Sequence, residues 1–429
     1  MKKFLLYISI ILALFLLLIT FILNYSKIVK NIPIGIKEIV PDPIIQIHAN
    51  IKPILSLMKF VISSDMKVKD LFYNVEFLPF THYGEVNYQL KKIVSADEIS
   101  FPNDGNISYY IDIINNNLIL TTMSGLFFRS SFKDLENENK LIVKHINSDF
   151  NKNKNEIKIL DSLIDRDNLL ISYYIKNPDK KNCYFVKLDK SFYNEKFLKF
   201  KNIYKSTECQ NNVQAGRIQS YTLNDEKGFL ISVAAQRRDF PSEKAQDDTS
   251  HFGKVLFVNE FNNSVSIFTK GHRNPQGLYA SEKIVLSTEH GPRGGDEINV
   301  LSEQKNYGWP ISSYGNSYYK KKLNYKKSHE KFNFEEPIFS FVPSIGISEI
   351  ISIDSQFWKD KSFDNLFLVS SLNGKSLYQL RFDKNFEKIV FLEKIFIGQR
   401  IRDLKYSKKL NGVILGLERP NKIAFIKSK

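Results

Sequence analysis

Residues 271–310 hold the densest run of chemistry-bearing side chains in this sequence. They read Gly271-His-Arg-Asn-Pro-Gln-Gly-Leu278, then Ser287-Thr-Glu-His-Gly-Pro-Arg-Gly-Gly-Asp-Glu-Ile-Asn299, then Asn306-Tyr-Gly-Trp-Pro310. Glycine and proline at that density prescribe a defined backbone path. Such a path can aim carbonyl oxygens and fixed Arg or Asn side chains at one point, which suits a hard cation or a polyanionic ligand. The same residues would also serve as a tight structural corner between strands, and composition alone does not separate the two.

The elements that would position these residues are strands. Short apolar runs separated by polar turns recur along the chain: Leu118–Thr122, Leu169–Tyr174, Gly228–Val233, Ile284–Ser287, Leu366–Ser370, Ile389–Phe391, Val413–Leu417 and Ile423–Ile426. Their lengths, their β-branched and aromatic content and their Asn/Asp/Gly/Lys turns predict an all-β chain. A chain of strands must hide its sheet edges, and radial repetition of four-stranded blades does so. Internal repeats are too faint to count blades. Residues 240–250, rich in Asp, Gln and Ser, read as an exposed loop on the channel face.

At 429 residues the chain can bury a large core, and its 43% apolar and 13% aromatic content is that of a folded protein. The net charge of +15 comes mostly from lysines scattered among Asn and Ile. Nucleic-acid binders concentrate charge on one face or run, so nucleic acid is not an expected partner. Phe4 to Leu23 is an apolar run long enough to span a bilayer, preceded by Lys2 and Lys3. This predicts a single-pass anchor over residues 1–23 in the cytoplasmic membrane, with the remainder facing the periplasm or exterior. A cleaved signal peptide is the alternative, but its apolar region would be long, and Ile22-Leu-Asn-Tyr-Ser26 offers no small-x-small site. Residues 24–69, with Pro33, Pro41, Pro43 and Pro53, read as a linker. The two cysteines, Cys183 and Cys209, exclude a thiolate metal cluster. In an exported domain they could form a disulfide, and the export signal favours that over two buried thiols.

The glycine-rich segments resemble the signature of the soluble quinoprotein sugar dehydrogenases, the glucose/sorbosone and aldose sugar dehydrogenase family. Pro343-Ser-Ile, Asn365-Leu-Phe-Leu-Val-Ser-Ser-Leu372 and Gly398-Gln-Arg-Ile-Arg-Asp403 match in the same order. The resemblance implies a six-bladed β-propeller over residues 70–429, holding pyrroloquinoline quinone (PQQ) and calcium at one end of the channel and oxidising a sugar-like small molecule. It implies that Arg273, Asn274, Arg400 and Arg402 hold the cofactor. Gly291 and Pro292 would offer carbonyls to calcium, with Asp296 bracing their loop. Read without the resemblance, Arg400 and Arg402 are two same-face residues on a strand.

Two departures matter. The family's general base is a His in a His-x-x-Gly-Arg pattern, and the corresponding stretch here is Val213-Gln-Ala-Gly-Arg217. Valine cannot accept a proton, and losing a general base costs about a hundred- to ten-thousand-fold in rate. His290, His272, His251 and Gln214 are the candidate substitutes. The family's cofactor-binding Lys aligns with Asn373, and Lys375, two residues on, is expected on the same strand face. Two readings follow: a PQQ-dependent dehydrogenase acting at the anomeric carbon of an aldose, or a catalytically impaired propeller acting as a ligand-binding module. The electron acceptor is not legible.

Overall fold

Two-residue turns shape the first hairpins. Asn115-Asn116 and Asn224-Asp225 have φ values of 46° and 63°, and of 50° and 65°. That pairing joins strands with the right-handed twist a blade needs, and Asn and Asp tolerate it best among non-glycine residues. In the computed structural model these hairpins extend into six sheets, none of which contains an α-helix. The structure describes residues 88–95, 109–133, 143–150, 157–211, 214–235, 243–317, 325–354, 357, 364–418 and 422–428. The expected anchor, the linker and Val213 lie outside these residues. Among the described residues no helix is long and apolar enough to cross a membrane. The compact unit carrying the sheets runs Glu85–Lys429.

Each sheet is an antiparallel meander of four strands, the first joined in addition by the short parallel strand Phe197–Leu198. The strands that begin the blades are Tyr109–Ile114, Ile157–Asp165, Ala215–Leu223, Pro275–Ala280, Ile347–Ser352 and Arg400–Ser407. Each of them touches the next, and the last touches the first, so they form a closed inner ring. The sixth blade takes its outermost strand from Tyr88–Ser95, paired antiparallel to Lys422–Ser428. This strand ties the beginning of the unit to its end and covers an edge that would otherwise stay open.

The apolar core sits in the seams between blades. Leu160, Leu170 and Val186 of the second blade meet Ile218, Phe229 and Leu256 of the third. Tyr109, Ile111 and Leu120 of the first blade meet Ile414, Ile423 and Phe425 of the sixth. Every neighbouring pair of blades has such a cluster. Each fully buried side chain of this kind is worth about 1.5–3 kcal/mol. Cys183 and Cys209 are joined in a disulfide beside the Tyr184–Gln210 bridge. Residues 243–250 are only partly the exposed loop expected. Ala245 is buried, and Gln246 donates to the Trp309 carbonyl at 2.7 Å, so this segment packs on the glycine-rich region.

Candidate functional site

Five of the six inner strands break register close to where they begin: between Ile159 and Asp161, Ala215 and Ile218, Pro275 and Gly277, Ile347 and Ile350, and Ile401 and Asp403. A bulge re-aims the side chains around it. Here it turns Asp161, Arg217, Gln276, Glu349 and Arg402 towards the channel or its walls. Gly216 makes the second of these bulges possible, having φ 101° and no room for a Cβ, which would fall 2.4 Å from the Leu160 Cβ.

Arg217 is the centre of the channel. Its Nη1 lies 2.8 Å from Asp161 Oδ1, 2.7 Å from Glu349 Oε2 and 2.7 Å from Asp403 Oδ1. Its Nε donates to the Gln276 carbonyl at 2.7 Å, its Nη2 to the Arg402 carbonyl at 2.9 Å, and it lies over the Tyr110 ring. One guanidinium therefore touches the other five inner strands, from inside its own. Beside it, Asp112 accepts from Lys405 at 3.0 Å and from Ser162 at 2.6 Å.

At one end of the channel a cavity of about 330 Å³ opens over Arg217, lined among others by Lys158, Gln276, His290, Asn373, Arg400 and Arg402. Arg402 donates to Glu418 at 2.6 Å and to the Gln276 side chain at 2.8 Å. Arg400 donates to the other oxygen of the same Glu418 at 3.1 and 3.2 Å. Two guanidiniums thus share one carboxylate, and Lys158 stands beside them in the same wall. That donor set suits a ligand carrying several carboxylates. A larger hollow of about 650 Å³ includes Asp165 and Arg166. It lies at the other end of the inner strand that carries Lys158, and its Arg166 and Ser220 are already bonded to Glu260 and Asp165.

The expected site residues fall into distinct places. Arg400 and Arg402 line the cavity together. Arg273 lies on the far side of His290, in a smaller hollow that also includes Gly291, Glu297 and Trp309. There it donates to the His290 carbonyl at 2.7 Å and stacks over Trp309. Asn274 is buried and donates to Gln214 at 3.1 Å. His290 borders both hollows. The same-face argument for Lys375 does not hold: the strand ends at Ser371, and residues 372–375 form a bend with Lys375 at φ 50°. Asn373, not Lys375, lines the cavity.

Of the candidate bases, only His290 and Gln214 reach the cavity. His272 is fully buried with both ring nitrogens engaged, Nδ1 by Glu289 and Nε2 by Thr269. His251 pairs with Tyr204 and does not line the cavity. Burial, reinforced by Arg273 and Arg402, lowers the His290 pKa to about 4. Its ring is therefore neutral at neutral pH and can accept a proton, as a weaker base than an ordinary imidazole. Gln214 carries an amide and has no basic lone pair to offer.

The loop after His290 is held by its neighbours. Asp296 accepts from the Gly291 amide at 3.2 Å and from the Ile347 amide at 3.0 Å. A Cβ on Gly291 would fall 1.9 Å from the Gly295 carbonyl oxygen, so only glycine fits. Among the described residues, no group of three or more His, Cys, Asp or Glu side chains is placed to hold a metal ion.

Sequence reading did not anticipate Lys158, Asp161, Gln276, Glu349 or Asp403. Lys158 and Asp161 share one strand with Ser162 and Asp165, and Asp403 stands in the charged strand Arg400–Ser407, so nothing in the local pattern singles these residues out.

The comparisons agree with this geometry. Escherichia coli (strain K12) aldose sugar dehydrogenase YliI is 29% identical over 204 residues, covering 42% of this chain and 52% of that protein. Acinetobacter calcoaceticus quinoprotein glucose dehydrogenase B is 37% identical over 108 residues, covering 21% of this chain and 23% of that one. The match thus spans about half, or less, of each relative's length. The structure of apo-form Escherichia coli aldose sugar dehydrogenase overlays with TM-score 0.62 at 17% identity, covering 80% of this chain and all of that one. The PQQ-bound aldose sugar dehydrogenase of Streptomyces coelicolor gives 0.55 at 12% identity, over 80% and 98%. At these identities the two structures speak for the fold. The family model "Glucose / Sorbosone dehydrogenase" matches residues 160–422, which is more than half of the chain and takes in part of the second inner strand and all of the four that follow it. The chain belongs to the glucose/sorbosone dehydrogenase family.

Proposed function

We propose that this chain is a quinoprotein oxidoreductase that binds PQQ in the cavity over Arg217 and oxidises an aldose-type sugar at its anomeric carbon. The observation that carries the reading is the enclosed wall of Lys158, Arg400 and Arg402 facing one cavity of about 330 Å³. A planar tricarboxylate needs several cationic donors, and guanidiniums bind carboxylates through paired hydrogen bonds. When bound, PQQ supplies a two-electron acceptor for hydride from the sugar carbon.

The chain's own residues bind and orient. Arg400 and Arg402 hold carboxylates, and Glu418 fixes both guanidiniums so that little side-chain freedom is lost on binding. Asn274, tied to Gln214 and to His290 at 3.4 Å, sets the orientation of the imidazole. His290, neutral and at the cavity wall, takes the hydroxyl proton. Calcium would be held by the carbonyls of Gly291 and Pro292, with Asp296 fixing their loop through the Gly291 amide. It would supply Lewis-acid polarisation.

Adding PQQ with calcium to the purified protein, then measuring dye reduction with a panel of aldoses, tests the reading. Sugar-dependent reduction that vanishes on chelation supports it. A PQQ-loaded protein that no aldose reduces defeats it. The sequence feature Val213 favours a second reading, a propeller that binds ligand with little turnover. Val213→His separates the two. A gain of about a hundredfold or more means the natural chain lacks its base. An unchanged rate in an active protein leaves the proton to His290.

A further inference from the structure

The floor of the cavity carries more acid than its one cation can balance. A guanidinium Nη1 has two hydrogens. Those of Arg217 are directed to Asp161 at 2.8 Å and Asp403 at 2.7 Å. Glu349 Oε2 lies 2.7 Å from the same nitrogen, with no third hydrogen for it. Its other oxygen accepts from the Ile350 amide at 2.9 Å. All four side chains are buried. Three ionised carboxylates here would leave two negative charges uncompensated in a dry interior, at a cost of several kcal/mol per ion. A carboxyl escapes that cost by keeping its proton, which removes one of the uncompensated charges; the guanidinium has no lone pair to accept that proton.

We propose that Glu349 is protonated at neutral pH and that, with Asp161, it forms a proton store in the cavity floor, in the trio of carboxyls gathered on Arg217. The other groups facing it are accounted for. Tyr110 presents its ring to Arg217, and Arg402 and Gln276 present carbonyls. Asp112 is matched by Lys405. Burial raises Glu349 to about 8 and Asp161 to about 7, with Arg217 opposing in both cases. The store has a consequence for ligand binding, which rests on the functional reading above. An acidic ligand seated against Lys158, Arg400 and Arg402 brings negative charge to the cavity that Arg217 also lines, and the trio takes up a proton from water as it arrives.

Infrared difference spectroscopy of the apo protein between about pH 6 and about pH 9 reads the store through its variants, because ordinary carboxyls are already ionised there and Glu297, which burial also raises, is untouched by them. The wild type should lose a carboxylic-acid carbonyl band across this range. Glu349→Gln, which copies the shape of the protonated acid, should lack most of that band, and Asp161→Asn should shift it. No carboxyl ionising in the wild type overturns the proposal, even if neither variant folds. So does a band unchanged in both variants. Calorimetric titration of the protein with PQQ in two buffers of different ionisation enthalpy reads the linkage. Uptake of a fraction of a proton per PQQ at neutral pH, reduced in Asp161→Asn, is expected. Binding without uptake overturns the linkage alone. Failure of PQQ to bind overturns the linkage together with the functional reading, and the infrared result then decides the proton store by itself.

Discussion

Arg402 sits where several requirements meet, being bonded to Glu418 and Gln276 and facing the cavity. Charge-assisted hydrogen bonds contribute about 1.5–3 kcal/mol each, so Arg402→Ala should weaken PQQ binding by about ten- to a hundredfold. Fluorescence titration with PQQ checks this, and unchanged affinity would remove Arg402 from the site. Lys375→Ala should leave PQQ affinity unchanged, because Asn373 holds the cavity position. At this scale the sequence is informative where residues cluster. His290, Gly291 and Asp296 stand within one motif, and the glycine whose Cβ would strike a carbonyl is visible there as a glycine. The trio on Arg217 is not legible in that way. Arg217 and Asp403 are 186 positions apart, and no local pattern announces that a bulge in each strand will turn them together. The Lys375 expectation failed for a related reason: counting by twos presumes an extended strand, and a positive φ ends it.

Strands and their fastenings were largely readable. Each predicted strand segment falls within or overlaps an observed one, because β-branched runs between Asn, Asp and Gly turns reflect local preferences that the blades also require. What the runs could not show is their partners. Pairing of Tyr88–Ser95 with Lys422–Ser428 joins opposite ends of the unit and leaves no local trace. Removing residues 85–95 should expose the edge of Lys422–Ser428 and give a chain that aggregates and unfolds at lower urea concentration than the full unit. The disulfide between Cys183 and Cys209 closes a loop with a sequence separation of 26. On the loop-entropy account, reducing it costs about 3 kcal/mol. Urea unfolding with and without reductant measures that loss, and identical midpoints would show that the bond adds nothing.

The whole propeller is drawn together at its axis by a charged group, so its stability should respond to pH through that group. Glu349 is raised from 4.5 to about 8 and Asp161 from 3.8 to about 7. Between the ordinary and the raised values, the folded chain holds protons that the unfolded chain has released. Stability from this source is complete below the ordinary carboxylate range and is lost as pH rises through about 7 to 8. The urea midpoint should therefore fall from about pH 6 to about pH 9, and Glu349→Gln should flatten the fall. Arg217→Leu should cost about 3–5 kcal/mol, the usual cost of leaving buried charge unpaired. The blade count itself was legible only through family resemblance, since seams packed from dissimilar residues such as Leu160 against Phe229 and Ile111 against Phe425 leave no repeat to read. The account as a whole rests on one cavity at one end of the channel. Titrating purified protein with PQQ, alongside Arg400→Ala and Arg402→Ala, tests it most directly. The account predicts saturable binding of one PQQ per chain that weakens in both variants. Absence of binding, or binding indifferent to both substitutions, would contradict it.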